Sequence, residues 1–204
     1  MEVKMRGNKK RILESSVELF NSHGAVSVST NHIAKHLKIS PGNLYFHFSN
    51  KEEIIRELFA RMSQEVQVSW DPDRDLPPRE FLEASFEVFW TYRFFHREMY
   101  HLRRQDPELA RNWKRHMTQC QRLLKLNYTA WVAQGSMRAI QDNDELRLLS
   151  DSVLLSSSAF LGFFESPEKP ASRKVISAGL LHVTRLLWPY FTGSYREAQK
   201  ALMN

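Results

Sequence analysis

The stretch Ser40-Pro41-Gly42-Asn43-Leu44-Tyr45-Phe46-His47-Phe48 reads as one short helix with a distinct inside and outside. Ser40 is a good capping residue. Pro41 stands at the first helical position, where a missing N–H costs nothing. Leu44 and Phe48, four residues apart, fall on one face and anchor the helix inward. Ser40 and Asn43 place short polar groups near the helix start, Tyr45 and His47 place longer ones a turn later, and Gly42 lets another molecule approach the backbone.

Upstream, the spacing of Ile12, Leu13, Val17 and Phe20 predicts a helix from about Asn8 to His23, closed by Gly24 as a left-handed cap. Ser29 or Thr30 caps a second helix with Ile33, Ala34 and Leu37 inward, and Ile39 fills the turn into the quoted segment. Downstream, Asn50 with Glu53 forms a capping signal for a fourth helix whose apolar stripe is Ile54, Ile55, Leu58, Phe59, Met62 and Val66. The proline-rich run from Trp70 to Pro78 interrupts the pattern and reads as a linker. Beyond it the sequence predicts a long aromatic helix from Pro78 to Arg104 and another from Asp106 towards Gln134. A corner follows at Gly135, then a helix capped by Asp142 and ended by Pro167 and Pro170, and one capped by Ser172 that reaches about Tyr190. No segment alternates with period two. The expected class is all-α: a three-helix N-terminal domain over residues 1–50, a connecting helix at 51–70, and a helical bundle over 71–204.

The 204 residues carry a net charge of +6 with 42% hydrophobic residues, an ordinary composition for a globular protein and one that excludes disordered or fibrous classes. The excess is concentrated at one end. Between Met1 and Lys51 stand Lys4, Arg6, Lys9, Lys10, Arg11, Lys35, Lys38 and Lys51 against Glu2, Glu14 and Glu18. That asymmetry favours an anionic partner for the N-terminal part. Cys120 is the only cysteine, which excludes an intrachain disulfide and a thiolate metal cluster. With a charged start in place of an apolar leader, the chain is expected to be cytoplasmic. The apolar runs Val153 to Phe164 and Val175 to Phe191 are not expected to span a membrane, the first being short and serine-rich and the second holding His182 and Arg185.

Two helices joined by a tight turn, the second presenting its N-terminus to an anionic partner, form the geometry that enters a DNA major groove. Thr30, Ser40, Asn43, Tyr45, His47 and Lys51 would then meet mainly phosphates, with Pro41, Gly42 and Phe46 facing base edges or thymine methyls. The same spacing also serves an ordinary amphipathic helix with solvated Tyr and His, so the residues alone leave both readings open.

The segment ILESSVELFNSHGAVSVSTNHIAKHLKISPGNLYFHFSNKEEII resembles the DNA-binding domain of the TetR family of bacterial regulators. The likeness rests on Glu18, Leu19, Phe20, Gly24, Thr30, Ile33, Ala34, Ser40, Gly42, Leu44, Tyr45, His47, Phe48, Lys51 and Glu52 in order. It implies DNA contacts from Thr30, Ser40, Pro41, Gly42, Asn43, Tyr45, His47 and Lys51, and a homodimer on a palindromic operator. Pro41 departs from the pattern, because that position is often Lys or another polar residue. Recognition there would be apolar or through DNA shape.

The resemblance also implies a divergent C-terminal domain, over 71–204, for effector binding and dimerisation, and nine to ten helices in the whole chain. The stretch around Trp90, Tyr92, Arg93, Phe94, Phe95 and Arg97 resembles a WxYRFFxR motif of one subgroup. On the helix expected from Pro78 to Arg104, Phe89, Trp90, Arg93, Phe94 and Arg97 fall on or near one face, and would line a pocket for an apolar or amphipathic small molecule or form a buried bundle face with paired arginines. The small residues Ser152, Ser156, Ala159, Gly162 and Gly179 mark the expected dimer interface, with packing inside one chain as the other explanation.

No GxSxG elbow, phosphate loop or dinucleotide fingerprint is present. His32 and His36 are four apart, but Ala34 and Lys35 between them offer no catalytic glutamate. The sequence therefore predicts no catalytic residue, no metal and no cofactor. It predicts a ligand-responsive repressor bound to double-stranded operator DNA, with an activator or a helical protein-binding adaptor as the alternatives.

Overall fold

The computed structural model describes the backbone of residues 2–165 and 172–203 and the side chains of 7–165 and 172–198. The described residues form ten α-helices: α1 (Glu2–His23), α2 (Thr30–Leu37), α3 (Pro41–His47), α4 (Lys51–Ser69), α5 (Pro78–Thr91), α6 (Arg93–Gln105), α7 (Pro107–Ala133), α8 (Asn143–Phe164), α9 (Lys174–Leu187) and α10 (Gly193–Met203). Short 3-10 turns stand at Pro72–Arg74 and Trp188–Tyr190. Among these residues the only extended pairing is an isolated bridge between Met137 and Phe191. The class is all-α, as expected.

Most helix ends follow the predicted capping chemistry. Gly24 and Gly135 adopt left-handed backbone (φ 81° and 74°), which closes α1 and turns the chain after α7. Asp106 accepts from the amides of Glu108 and Leu109, and Asp142 from those of Asp144 and Glu145. Asn50 accepts from Glu53 N at 2.8 Å, but Glu53 reaches back to Ser49 N at 2.7 Å, one residue earlier than a standard box.

Four expectations need correction. Helix α1 begins at Glu2 and not at Asn8. The aromatic helix expected from Pro78 to Arg104 is two helices, broken at Tyr92. Ser172 offers α9 no side-chain cap, and Arg173 stands at the cap position. The terminal α10 was not foreseen; Thr192 Oγ1 accepts from Tyr195 N at its start. Pro167 and Pro170, expected to end α8, lie outside the described residues.

The chain packs as two compact units. Residues 1–64 and 91–113 make the first, and 65–90 with 114–204 the second, so α4 and α7 each contribute to both. This division by packing cuts the sequence differently from a boundary at 50 or 71, because α6 is built into the first unit.

In the first unit the core comprises Ile12, Leu13, Phe20, Ile33, Leu44, Phe48, Ile54, Leu58, Phe94 and Phe95. Asp106 is buried there, where Arg56 pairs with it at 2.9 Å. The core of the second unit is aromatic. Phe81 lies 5.2 Å from both Trp70 and Trp131, and Phe86 lies 5.0 Å from Phe160. Trp70, read from sequence as the start of a linker, is buried and donates Nε1–H to Ser85 Oγ at 2.6 Å.

Helix α8 alone among the described residues is long and apolar enough to cross a membrane. The argument from shortness therefore fails for this segment. Leu149, Val153, Leu154, Phe160 and Leu161 instead bury one side of α8 in the core of the second unit, as a soluble core helix does.

Candidate nucleic-acid interface

Helix α2 is started by a reciprocal pair. Ser29 Oγ accepts from His32 N at 3.2 Å, and Ser29 N donates to His32 Nδ1 at 3.3 Å. His32 thus takes the part usually played by Glu in a capping box. The turn after α2 is made by Lys38, which adopts left-handed backbone (φ 54°) and donates its N–H to the carbonyls at the end of the helix. A non-glycine residue there carries strain of about 1 kcal/mol. Ser40 then caps α3 by accepting from Asn43 N at 3.2 Å.

Leu44 and Phe48 are fully buried, as are Ile33 and Ala34 from α2, so the two helices are locked by the residues their periodicity assigned inward. The opposite side of α3 is open. Pro41 and Gly42 are exposed, Tyr45 is 49% exposed and Phe46 67%. A Cβ built on Gly42 would meet nothing within 4 Å, so the fold itself does not require glycine there. The missing side chain leaves room only towards an outside molecule.

Two polar contacts tie this face to its neighbours. Thr30 Oγ1 and Tyr45 Oη are 3.0 Å apart, and Asn8 Nδ2 donates to Asn43 Oδ1 at 3.5 Å. His47 packs edge-on to Phe46 at 5.2 Å. Thr30, Ser40, Pro41, Gly42, Asn43, Tyr45 and His47 therefore belong to one helix pair. Lys51 behaves differently: its ammonium donates to the carbonyls of Ala25 (2.7 Å) and Val26 (3.1 Å), which makes it a brace for the loop after α1. Lys9 is also engaged, 3.4 Å from Glu57 and over the Phe48 ring. Phe46 is the most exposed aromatic of the helix, yet it is absent from the contacts that the family resemblance implies. The signal for it was present, since inward Leu44 and Phe48 put position 46 outward.

The expected effector residues fall on two helices and not on one. Phe89 and Trp90 end α5 in the second unit, while Arg93, Phe94 and Arg97 begin α6 in the first. Phe94 is fully buried between Phe20 and Phe95, with centroids 5.2 and 4.1 Å away. Arg97 donates to the backbone carbonyl of Asn21 at 2.6 Å. The second unit instead holds a largely apolar groove of about 170 Å³ between α5, α9 and α10, bordered by Leu82, Leu180, Leu181, Phe191 and Tyr195. Arg79 at its edge is paired with Glu83 at 2.8 Å.

The interface set divides as well. Ala159 and Gly162 are exposed on α8, and Ser152 and Ser156 are half-buried. Gly179 is buried inside the chain, where a Cβ would stand 2.6 Å from Phe86 and 2.7 Å from Phe160. Its small size serves the contact of α9 with α5 and α8.

Comparison with known proteins bears on both units. Residues 12–58 match the family described as bacterial regulatory proteins, tetR family, and residues 52–198 match the TetR family described as bacterial transcriptional repressor. A TetR-family transcriptional regulator of Marinobacter aquaeolei VT8 has a similar structure, with a TM-score of 0.84 and 34% identity over 95% of this chain and 96% of that one. The regulator UidR of Escherichia coli K12 is 38% identical over 61 residues, 30% of this chain and 31% of UidR. The regulator YerO of Bacillus subtilis 168 is 31% identical over 99 residues, which cover 45% of this chain and 34% of YerO. The match to SAB2452 of Staphylococcus aureus RF122 likewise covers 52% of its length, so the chain spans a third to a half of these curated relatives. The triclosan complex of SmeT shares the fold, with a TM-score of 0.62 at 15% identity. With the helix-turn-helix and the C-terminal helical unit both matched, this chain belongs to the TetR family of bacterial helix-turn-helix transcriptional regulators.

Proposed function

We propose that the protein is a ligand-responsive repressor that binds a palindromic operator as a homodimer. The observation that carries this reading is the open side of α3. Pro41, Gly42, Tyr45 and Phe46 face outward from a helix whose other side is locked by Leu44 and Phe48. Such a helix can enter a groove without rearranging its own core. Tyr45, Ser40, Thr30 and Asn43 supply hydroxyl and amide contacts to phosphate, whereas Pro41 and Phe46 offer apolar contact to thymine methyls or the sugar edge. Lys51 reaches DNA only with its remaining ammonium hydrogen, since two carbonyls already hold it.

Dimerisation is assigned to α8 and α9. Leu148, Leu155 and Phe163 are 56%, 70% and 78% exposed on α8, with Ala159 and Gly162 between them, and Leu181 and Leu186 are exposed on α9. A second copy related by a two-fold axis buries such a face against itself and sets two recognition helices about 34 Å apart, one turn of DNA. Repression then follows from occupancy. The effector is an apolar or amphipathic molecule bound in the second unit, where the groove between α5, α9 and α10 has the lining for it; SmeT, which shares the fold, forms a complex with triclosan. The effector releases DNA only if it binds the DNA-free arrangement more tightly.

Selection of bound duplexes from random DNA tests the reading. A palindrome whose affinity falls steeply with salt is the expected product. Recovery of no enriched sequence, or binding indifferent to salt, sinks it. A thermal-shift screen of acyl chains, aromatic acids and cationic drugs tests the effector class: stabilisation by an apolar or amphipathic member is expected, and stabilisation by none of them sinks the effector reading.

A further inference from the structure

The stretch Trp90–Arg97 is the one sequence motif that the DNA reading leaves unused. The helix expected to run through it stops at Tyr92 (φ −108°, ψ 36°), whose side chain caps nothing. A break of this kind orphans carbonyls of the preceding turn and amides of the following one. Both are met by a single side chain from α1. Asn21 Nδ2 donates to the Thr91 carbonyl at 2.8 Å, and Asn21 Oδ1 accepts from Phe94 N at 3.1 Å. Asparagine has the donor and the acceptor that this break requires.

The contact is answered from α6. Arg97 Nη1 donates to the Asn21 carbonyl at 2.6 Å, and Glu98 Oε2 accepts from Val26 N at 3.2 Å. Gly24 makes the approach of Glu98 possible, since a Cβ there would collide with its carboxylate. Phe94 packs on Phe20 from the same turn of α1, and Lys51 holds the carbonyls of Ala25 and Val26. The last turn of α1 and the loop that leads into α2 are thus held by directional bonds from the first turns of α6. Apolar packing alone tolerates small rotations of one helix on another; paired backbone groups do not.

We propose that Asn21 and Arg97 are positioning residues for DNA reading: they fix α1 on α6, and through the loop after α1 they set the angle at which α2 and α3 are presented. In a dimer this fixes which half-site spacing is accepted. The inference rests on the dimeric operator reading above.

The test uses the full-length protein with three duplexes: the sequence selected by the wild-type protein, the same sequence with one base pair inserted between its half-sites, and an unrelated duplex. Asn21→Ala should weaken binding to the first by roughly tenfold, the scale of one or two lost hydrogen bonds. It should bind the second nearly as well as the wild type does and leave the third unchanged, so that the spacing preference narrows. Arg97→Lys keeps the charge and most of the stem, so it carries the test should Asn21→Ala fail to fold; the same narrowing is expected in smaller measure. Wild-type spacing preference in both variants overturns the proposal. So does an equal loss on all three duplexes, which marks general damage to the reading head. A wild-type protein indifferent to the inserted base pair overturns the dimeric operator reading itself, and the spacing role with it.

Discussion

Helices α3 and α8 both leave hydrophobic side chains in the open, yet the two exposed faces differ in kind. On α3, Tyr45 and Phe46 stand beside hydroxyls, an amide and a glycine at the start of a short helix, in the part of the sequence that carries most of the positive charge. On α8, Leu148, Leu155 and Phe163 stand among serine, alanine and glycine. The first face suits a charged, hydrated and grooved partner, and the second a dry and close-fitting one. An exposed aromatic therefore says little until its neighbours are read.

The largest effect that would break this contrast is at α8. Leu155→Glu should convert the protein to monomers in sedimentation and reduce operator affinity by at least about a hundredfold, because a charge is then desolvated at a dry interface and the two half-sites are no longer linked. A dimeric Leu155→Glu protein would remove α8 from the interface.

Acid probes the second unit next. His116 in the second unit is buried against Cys120, and burial pushes its imidazole down to about 4 from 6.5. The folded state holds this histidine neutral while the unfolded chain protonates it. Stability is therefore full above pH 6.5 and is lost as pH falls towards 4, by about 3 kcal/mol. His116→Gln should flatten that part of a denaturation-versus-pH curve; an unchanged curve would assign the loss elsewhere.

Gly179 sharpens the division between interface and core. Gly179→Ala should cost about 1–3 kcal/mol through collision with Phe86 and Phe160 while leaving the oligomeric state unaltered. Tm and sedimentation together check both halves of the expectation. The smallest effect is at α3. Tyr45→Phe removes the Thr30 contact and one possible phosphate donor, and should weaken operator binding by about 1 kcal/mol with no measurable change in Tm.

Much of the N-terminal site was legible because its signals are local. Ser40, Pro41, Leu44 and Phe48 lie within three turns of helix, and capping and periodicity act over that range. Tyr92 shows the opposite case. Nothing within a few residues of it demands a break, and the cap that stabilises the break comes from Asn21 in α1. Lys51 could be numbered among cations but not directed, since its partners are the carbonyls of Ala25 and Val26. Gly179 and Gly162 look alike in sequence, yet one faces two phenyl rings and the other open space.

By itself the sequence determined the all-α class, the helix-turn-helix and its outward residues, and the family, because each depends on interactions between residues close in the chain or on a dense ordered motif. Only the tertiary structure decided that α6 packs with the DNA-binding helices, that the expected effector residues fall on two helices, and that Gly179 is internal. Those outcomes depend on which distant groups meet, and a backbone amide or a small residue takes its meaning from the partner it finds.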